Sequence, residues 1–374
     1  MRRRPDMLLL GVTMALVFIG MLMILSSSSY IGYASYADSY YFIKKHSMYL
    51  ALGLVAMAIG WRVPYTRYQA WLIPGFVGAL ILVALTLIPG VGVRTLGATR
   101  WLQVGPVTIQ PVEIMKFAIF VYIAHFLHKK QAHIGSIRKG LLPLFTVIAI
   151  PGLLIAKQPD LGNAILIFAV TMCLIWVSGA RLKHLGSMAL AGVSAVAFSV
   201  ILHPYQLQRI KTFLDPFADP LGKSYHIIQS FIAIGSGGIF GAGLGQSKLK
   251  YHYLPLQYSD FIFSILCEEG GFILAAIVLT LFGLLLRQGM RIAQNAADDF
   301  GRYLAMGLTL QLTLQSLINI AVVTGVFPTK GIPLAFISFG GTSLVMGLFY
   351  VGVLINIGMG TKQDAMGELG GRPQ

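Results

Sequence analysis

The sequence predicts an all-α integral membrane fold of ten transmembrane helices, with a large extracytoplasmic loop between the seventh and eighth. Three observations predict it. Hydrophobic residues make up 56% of the 374-residue chain and charged residues only 11%, less than half the ~25% of an average globular protein. Mean hydropathy is +0.76. Apolar runs of about 17–25 residues, each long enough to cross a ~30 Å hydrocarbon core, recur from end to end.

Ten spans account for those runs, at about 7–25, 46–60, 71–89, 111–127, 141–157, 161–179, 186–203, 260–286, 302–326 and 341–359. The first lacks a small-residue cleavage site and runs on into Tyr and Ser, so it reads as a retained span rather than a signal peptide. More than half of the 28 Lys and Arg fall on one side, in short loops or tails. They are Arg2, Arg3, Arg4, Arg62, Arg67, Lys129, Lys130, Arg138, Lys139, Arg181, Lys183, Arg287, Arg291, Arg302, Lys362 and Arg372. The positive-inside rule makes that side cytoplasmic and, with an even number of spans, places both termini there. Residues 1–374 then form a single polytopic domain, with the large outer loop at about 204–259.

The net charge of +15 would suggest nucleic acid in a soluble protein; in this topology no nucleic-acid partner is expected. The other cations are more informative. Lys44, Lys45, Arg94, Arg100, Lys116, Lys157, Arg209, Lys211, Lys223, Lys248, Lys250 and Lys330 fall in outer loops or at outer span ends. An anionic ligand or local acidic partners must explain some of them; solvated loops and headgroup contacts account for others. Cys173 and Cys267 lie in separate spans without metal or disulfide spacing, and read as packing residues.

Tyr30, Tyr33, Tyr36, Tyr40 and Tyr41 crowd the first outer connection and read as headgroup anchors. The run from Leu87 to Gln110 carries Pro, Gly and Arg between two spans. In the large loop, Tyr225 to Ile234 has helical character and is too short to span, so it lies at the interface or re-enters. The glycine-rich run Gly235 to Gly245 lacks the strand and helix of a phosphate loop, and is expected to be a flexible or tightly turning, substrate-facing loop.

Several charged constellations carry candidate chemistry. Tyr258-Ser259-Asp260-Phe261 opens the eighth span, with Glu268-Glu269 about 12 Å deeper at ~1.5 Å per residue. Intramembrane carboxylates are expensive and face a partner or a cavity. Asp260 is either a helix-start carboxylate satisfied by the macrodipole or a base whose shielding raises its pKa; Glu268 and Glu269 read as structural. Glu113 and Lys116 are spaced to pair on one helix face. They form either a buried ion pair or, with Arg100, a diphosphate site. Asp160 caps the next helix or binds a cation or substrate hydroxyl. Pro328 to Ser343 breaks the helical pattern, as tolerated around a cavity, and presents Lys330 and Ser338. Asn319 is expected to hydrogen-bond a neighbouring helix.

These residues resemble the SEDS family of peptidoglycan glycosyltransferases, which includes the division protein FtsW and the elongation protein RodA. The resemblance covers about residues 11–360 and rests on Gly97-Ala98-Thr99-Arg100-Trp101, Gln110-Pro111-Val112-Glu113 with Lys116, Gln158-Pro159-Asp160-Leu161-Gly162, Ser259-Asp260-Phe261-Ile262-Phe263 with Glu268-Glu269, and Ser338-Phe339-Gly340-Gly341. Phe213-Leu214-Asp215-Pro216 and Pro328-Thr329-Lys330-Gly331 lie closer to the division branch. Departures are Val112 where the family usually has Ser, Phe339 where it has Tyr, and Pro255-Leu256-Gln257-Tyr258-Ser259 where it often has Pro-Glu-x-His-Thr.

The resemblance implies polymerisation of lipid II, with release of undecaprenyl diphosphate, beside a class B penicillin-binding protein and other division or elongation membrane proteins. It implies Asp260 as the base for the acceptor sugar hydroxyl, and Arg100, Glu113 and Lys116 as a polar cluster in the cavity. Lys330, Asp160 and Ser338 complete the expected substrate-binding set. No cofactor is fixed by this reading, and a divalent cation with Asp160 or a neighbouring carboxylate as ligand is compatible with it. Elongation by the same chemistry, lipid II flipping, and scaffolding are the alternatives.

Overall fold

The structure is a computed structural model and describes residues 5–95, 98–105, 107–202, 204–250 and 257–360. Arg2, Arg3, Arg4, Gly97, His203, Pro255, Leu256, Lys362 and Arg372, which entered the sequence reading, lie outside the described residues. The helices are α1 (Met7–Tyr36), α2 (Tyr41–Arg62), α3 (Arg67–Ala70), α4 (Leu72–Leu85), α5 (Pro111–Lys130), α6 (Leu142–Lys157), α7 (Leu161–Val177), α8 (Leu182–Leu202), α9 (Pro204–Leu214), α10 (Tyr225–Gly237), α11 (Ile262–Gln294), α12 (Asp299–Val323) and α13 (Gly341–Met359). Eight of these are long and apolar enough to cross a membrane: α1, α2, α5, α6, α8, α11, α12 and α13. The apolar α4 and α7, of 14 and 17 residues, complete the expected ten.

Side-chain caps start several of them. Asp6 accepts from Leu9 N at 3.0 Å and Asp298 accepts from Gly301 N at 2.6 Å, each satisfying an amide that the first helical turn leaves unpaired. Several helices run past the expected hydrocarbon limits: α1 continues to Tyr36 and α11 to Gln294. The 33 residues of α11, counted across a break at Gly271, exceed the ~20 that an apolar layer needs. Most enclosed is α12, which also buries Thr309, Gln311, Thr313, Gln315, Ser316 and Asn319. Such a polar helix holds its place at the centre of a bundle only if these groups find partners. By contrast, α8 is almost wholly exposed.

Between α4 and α5 the chain adds a three-stranded antiparallel sheet, β1 (Gly92–Thr95), β2 (Ala98–Val104) and β3 (Val107–Ile109). Val93 pairs with Trp101 and Leu102 with Ile109. The sheet is tied to the bundle by Tyr49, whose hydroxyl accepts from Thr108 N at 3.0 Å, and by Thr342 Oγ1, which donates to Thr108 O at 3.2 Å. It lies at the same end of the bundle as the start of α11 and carries Arg100 on β2.

The short helix α10 re-enters beside α11. Ser230 Oγ lies 2.6 Å from Ser264 Oγ and donates to Val323 O at 2.7 Å. A kink breaks α11 at Gly271 (φ 63°, ψ −165°), a conformation essentially confined to glycine. The glycine run after α10 fills the break: Ala242 N and Gly243 N donate to the carbonyls of Glu268 and Glu269 at 2.9 and 3.0 Å, and Phe272 N and Ile273 N donate to Gly238 and Ile239 at 2.9 and 3.2 Å. The run expected to face substrate is therefore a splint for a broken helix. Its positive-φ glycines let non-helical backbone satisfy the amides and carbonyls that the break in α11 leaves unpaired.

Candidate functional site

Asp260 sits in the turn that precedes α11, and three contacts pin that turn. Asn319 Nδ2 donates to Asp260 O at 2.8 Å; Ser338 Oγ donates to Ser259 O at 2.6 Å; Phe339 N donates to Tyr258 O at 2.9 Å. Among the described residues the Asp260 carboxylate itself forms no hydrogen bond or ion pair. Gly331 lies against it, so close that a Cβ there would stand 3.0 Å from Oδ2. Burial pushes the carboxyl from its ordinary 3.8 up to about 6, against the opposing pull of Arg209 and Arg100 and with the repulsion of Asp160 added. The backbone is fixed and the acid is left unengaged.

Two cations, Arg209 and Arg100, act on this carboxylate, and a third, Lys330, is linked to it through Arg209 and Asp160. Arg100 reaches from β2 over the start of α7, donating from Nε to Gln158 O at 3.2 Å and from Nη2 to Pro159 O, with Asp160 Oδ2 3.9 Å away. Arg209, on α9, donates to Thr329 O at 2.9 Å and also to the Tyr205 hydroxyl. Lys330 follows Thr329 and lies over Gly162. Its ammonium is pushed down to about 8 by burial and by Arg209, against the pull of Asp160. Arg209 was legible only as one of many outer cations; the amphipathic helix carrying it gave no direction.

Lys116 and Glu113 lie deeper and are fully enclosed. Lys116 Nζ donates to Glu113 Oε1 at 2.7 Å and to Asn163 Oδ1 and Gln315 Oε1, both at 3.3 Å. All three ammonium protons are therefore engaged by protein. Asn163 in turn donates to Asp160 Oδ2 at 2.8 Å and through its backbone N–H to Oδ1 at 3.4 Å, so Asp160 does cap α7. A continuous polar chain thus joins Arg100, Asp160, Asn163, Lys116 and Glu113. Gln315 extends it by donating to Pro333 O at 2.9 Å.

Among the residues expected to bind substrate, Arg100 acts on Asp260 and Lys330 precedes the Gly331 that lies against it, whereas Glu113, Lys116 and Asp160 brace the elements that carry them. Ser338 is also engaged by protein, since its Oγ accepts from Leu334 N at 2.8 Å. Asn319 bonds the backbone of the Asp260 turn and Ile332 O at 2.8 Å, rather than a neighbouring helix. Glu268 accepts from Lys248 N at 2.9 Å and from Ser247. Glu269 accepts from Ser26 Oγ at 2.6 Å and has Lys250 Nζ 3.5 Å away. Both are structural acids at the kink, as read from their depth.

Among the described residues no three His, Cys, Asp or Glu side chains gather as a metal site. Both Asp160 oxygens already accept from Asn163.

Fold and site together define a polytopic membrane protein with an activatable carboxylate and a cluster of cations at one end of its helix bundle. The chain matches the family described as "FTSW_RODA_SPOVE: Cell cycle protein" over residues 6–363, and it belongs to that family. It is 41% identical over 353 residues to "Stage V sporulation protein E" of Bacillus subtilis (strain 168), covering 94% of this chain and 96% of that one. It is 40% identical over 357 residues to "Probable peptidoglycan glycosyltransferase FtsW" of Trichlorobacter lovleyi, covering 96% and 94%. Its fold matches a solved chain described under "Structural coordination of polymerization and crosslinking by a peptidoglycan synthase complex", with a TM-score of 0.77 and 28% identity over 95% of this chain and 97% of that one.

Proposed function

We propose that this chain is a peptidoglycan glycosyltransferase that polymerises lipid II during cell division. The observation that carries the reading is the unengaged Asp260 carboxylate, held by its backbone and raised to about 6. Such a group is largely ionised near neutral pH yet basic enough to take a proton. Asp260 accepts the proton of the acceptor sugar hydroxyl as that oxygen attacks the anomeric carbon of the lipid-linked donor, inverting it. The bond from that carbon to the diphosphate oxygen breaks, and undecaprenyl diphosphate leaves. Arg100, Arg209 and Lys330 meet the charge that develops on it, the electrostatic part of the catalysis. Ser338, Asn319, Asp160, Glu113 and Lys116 are positioning residues.

The family and the relatives named as glycosyltransferases support this activity. The likeness to a chain of a peptidoglycan synthase complex supports a class B penicillin-binding protein as the crosslinking partner. Both termini are cytoplasmic in the bacterial inner membrane, and the site faces outward. Arg62, Lys129, Lys130, Arg181, Arg287 and Arg302 support that orientation, because they sit at the bundle end opposite Asp260.

The test supplies labelled lipid II to the purified protein with its crosslinking partner, as wild type and as Asp260→Asn. Glycan strands from the wild type alone are expected. Equal strands from both proteins would sink the Asp260 assignment. None from either, with lipid II moved across vesicles, would favour transport.

A further inference from the structure

The tyrosines where α1 meets α2 do more than ring the bundle. Tyr33, Tyr36 and Tyr40 are 66%, 52% and 59% exposed. Tyr36 and Tyr41 stack face to face, with ring centroids 3.8 Å apart and planes 9° from parallel. Phe42 meets both edge-on at 5.9 and 5.3 Å and packs on Tyr258 at 4.6 Å. Tyr258 lies two residues before Asp260 and meets Phe339 at 5.7 Å. A continuous series of rings therefore leads from the exposed corner to the turn that carries the acid. Anchoring at the headgroup level explains scattered interfacial rings, but gives no reason for the parallel stack or for its contact with this turn.

The corner is rigid. Ala37 closes α1 in the left-handed region (φ 53°), its N–H donating to Tyr33 O at 2.9 Å. Asp38 accepts from Tyr40 N at 2.9 Å and pairs with Lys44 at 2.8 Å. Rings held this way lose little freedom when a ligand covers them.

We propose that the Tyr36–Tyr41 platform is a saccharide subsite that holds pyranose rings of the glycan strand beside Asp260, an inference that rests on the polymerase reading above. A pyranose presents a face of C–H groups to an aromatic ring, while its hydroxyls and acetamides stay with water. A tyrosine offers the matching apolar body and polar tip. The ligand class is a polymer of N-acetylated aminosugars, and the subsite retains the strand between successive additions.

Chitotetraose, a soluble N-acetylglucosamine tetramer, is the probe. It is added to the Asp260→Asn protein in lipid nanodiscs, and saturation-transfer NMR reads contact with the sugar. Transfer to ring C–H protons is expected, with affinity about tenfold weaker on Tyr36→Ala, the scale on which aromatic stacking responds to alanine, and retained by Tyr36→Trp. In otherwise wild-type protein, Tyr36→Ala shortens the strands made from lipid II. Absence of transfer, or transfer unchanged in both Tyr36→Ala and Tyr41→Ala, overturns the subsite. So does a loss confined to membrane insertion, which would make these rings headgroup anchors. Sugar binding by a wild-type protein that makes no glycan would remove the polymerase reading alone, and strands of unchanged length from Tyr36→Ala would remove the subsite alone.

Discussion

The side-chain amide of Asn319 donates to the backbone carbonyl of Asp260 at 2.8 Å. The second carbonyl on the same amide, from Ile332, lies at the same distance, so a single α12 side chain joins the acid's turn to the segment that carries Lys330. Asn319→Ala leaves two carbonyls without that donor, at about 1–3 kcal/mol for each unsatisfied group. Turnover of lipid II is expected to fall about 10–100-fold with little change in KM, read by steady-state kinetics.

The pH profile follows from two groups. Activity rises as Asp260 loses its proton near 6 and falls as Lys330 loses its charge near 8, giving a bell. Arg209 holds both values down. Arg209→Ala is therefore expected to move both limbs to higher pH, whereas a purely structural loss lowers the bell without moving it.

Stability should respond to Asp260 in the opposite sense from a paired carboxylate. Its folded value lies above its ordinary 3.8, so the folded chain holds the proton more tightly between about 4 and 6, and stability falls as pH rises through that window. Asp260→Asn should raise the melting temperature at pH 7.5, by a gain bounded at about 3 kcal/mol, and change nothing at pH 4. Differential scanning fluorimetry at both pH values checks this.

Lys116 offers a clean separation of bracing from binding. Lys116→Met strands the buried Glu113 carboxylate, which is expected to destabilise the fold by about 3–5 kcal/mol. Adding Glu113→Gln should recover most of the melting temperature and much of the polymerisation. A double variant that is fully folded yet inactive would show that Lys116 touches substrate.

Gly271→Ala tests the splint. The residue's φ of 63° with ψ −165° is strained by about 1–3 kcal/mol for any other residue, and a Cβ would stand 2.4 Å from Gly241 N. Lower thermal stability and faster proteolysis within residues 238–250 are the expected outcomes.

Hydropathy made the spans legible, because a bilayer demands long apolar runs whatever packs against them. Asp260, Arg100 and Lys330 were legible as charges lying where topology offered no reason for them. Arg209 was not singled out, since a half-polar surface helix does not reveal which face turns inward. The purpose of the glycine run depended on Gly271, whose positive φ is invisible inside an apolar stretch. The spacing of Glu113 and Lys116 suited a buried ion pair and a diphosphate site equally, because the further acceptors of Lys116, Asn163 and Gln315, stand on separate helices far off in sequence. The three-stranded sheet was missed because its strands are short and interrupted by turns.

The brevity of α7 has a consequence for the surrounding lipid. Its 17 residues rise about 26 Å, short of a ~30 Å hydrocarbon core, and the 14-residue α4 is shorter still. Hydrophobic mismatch of this sign is met by local thinning of the bilayer. Where thinning meets the mismatch at the outer end of α7, the membrane surface dips beside Asp160 and Arg100 and brings a lipid-borne diphosphate in the headgroup layer closer to those cations.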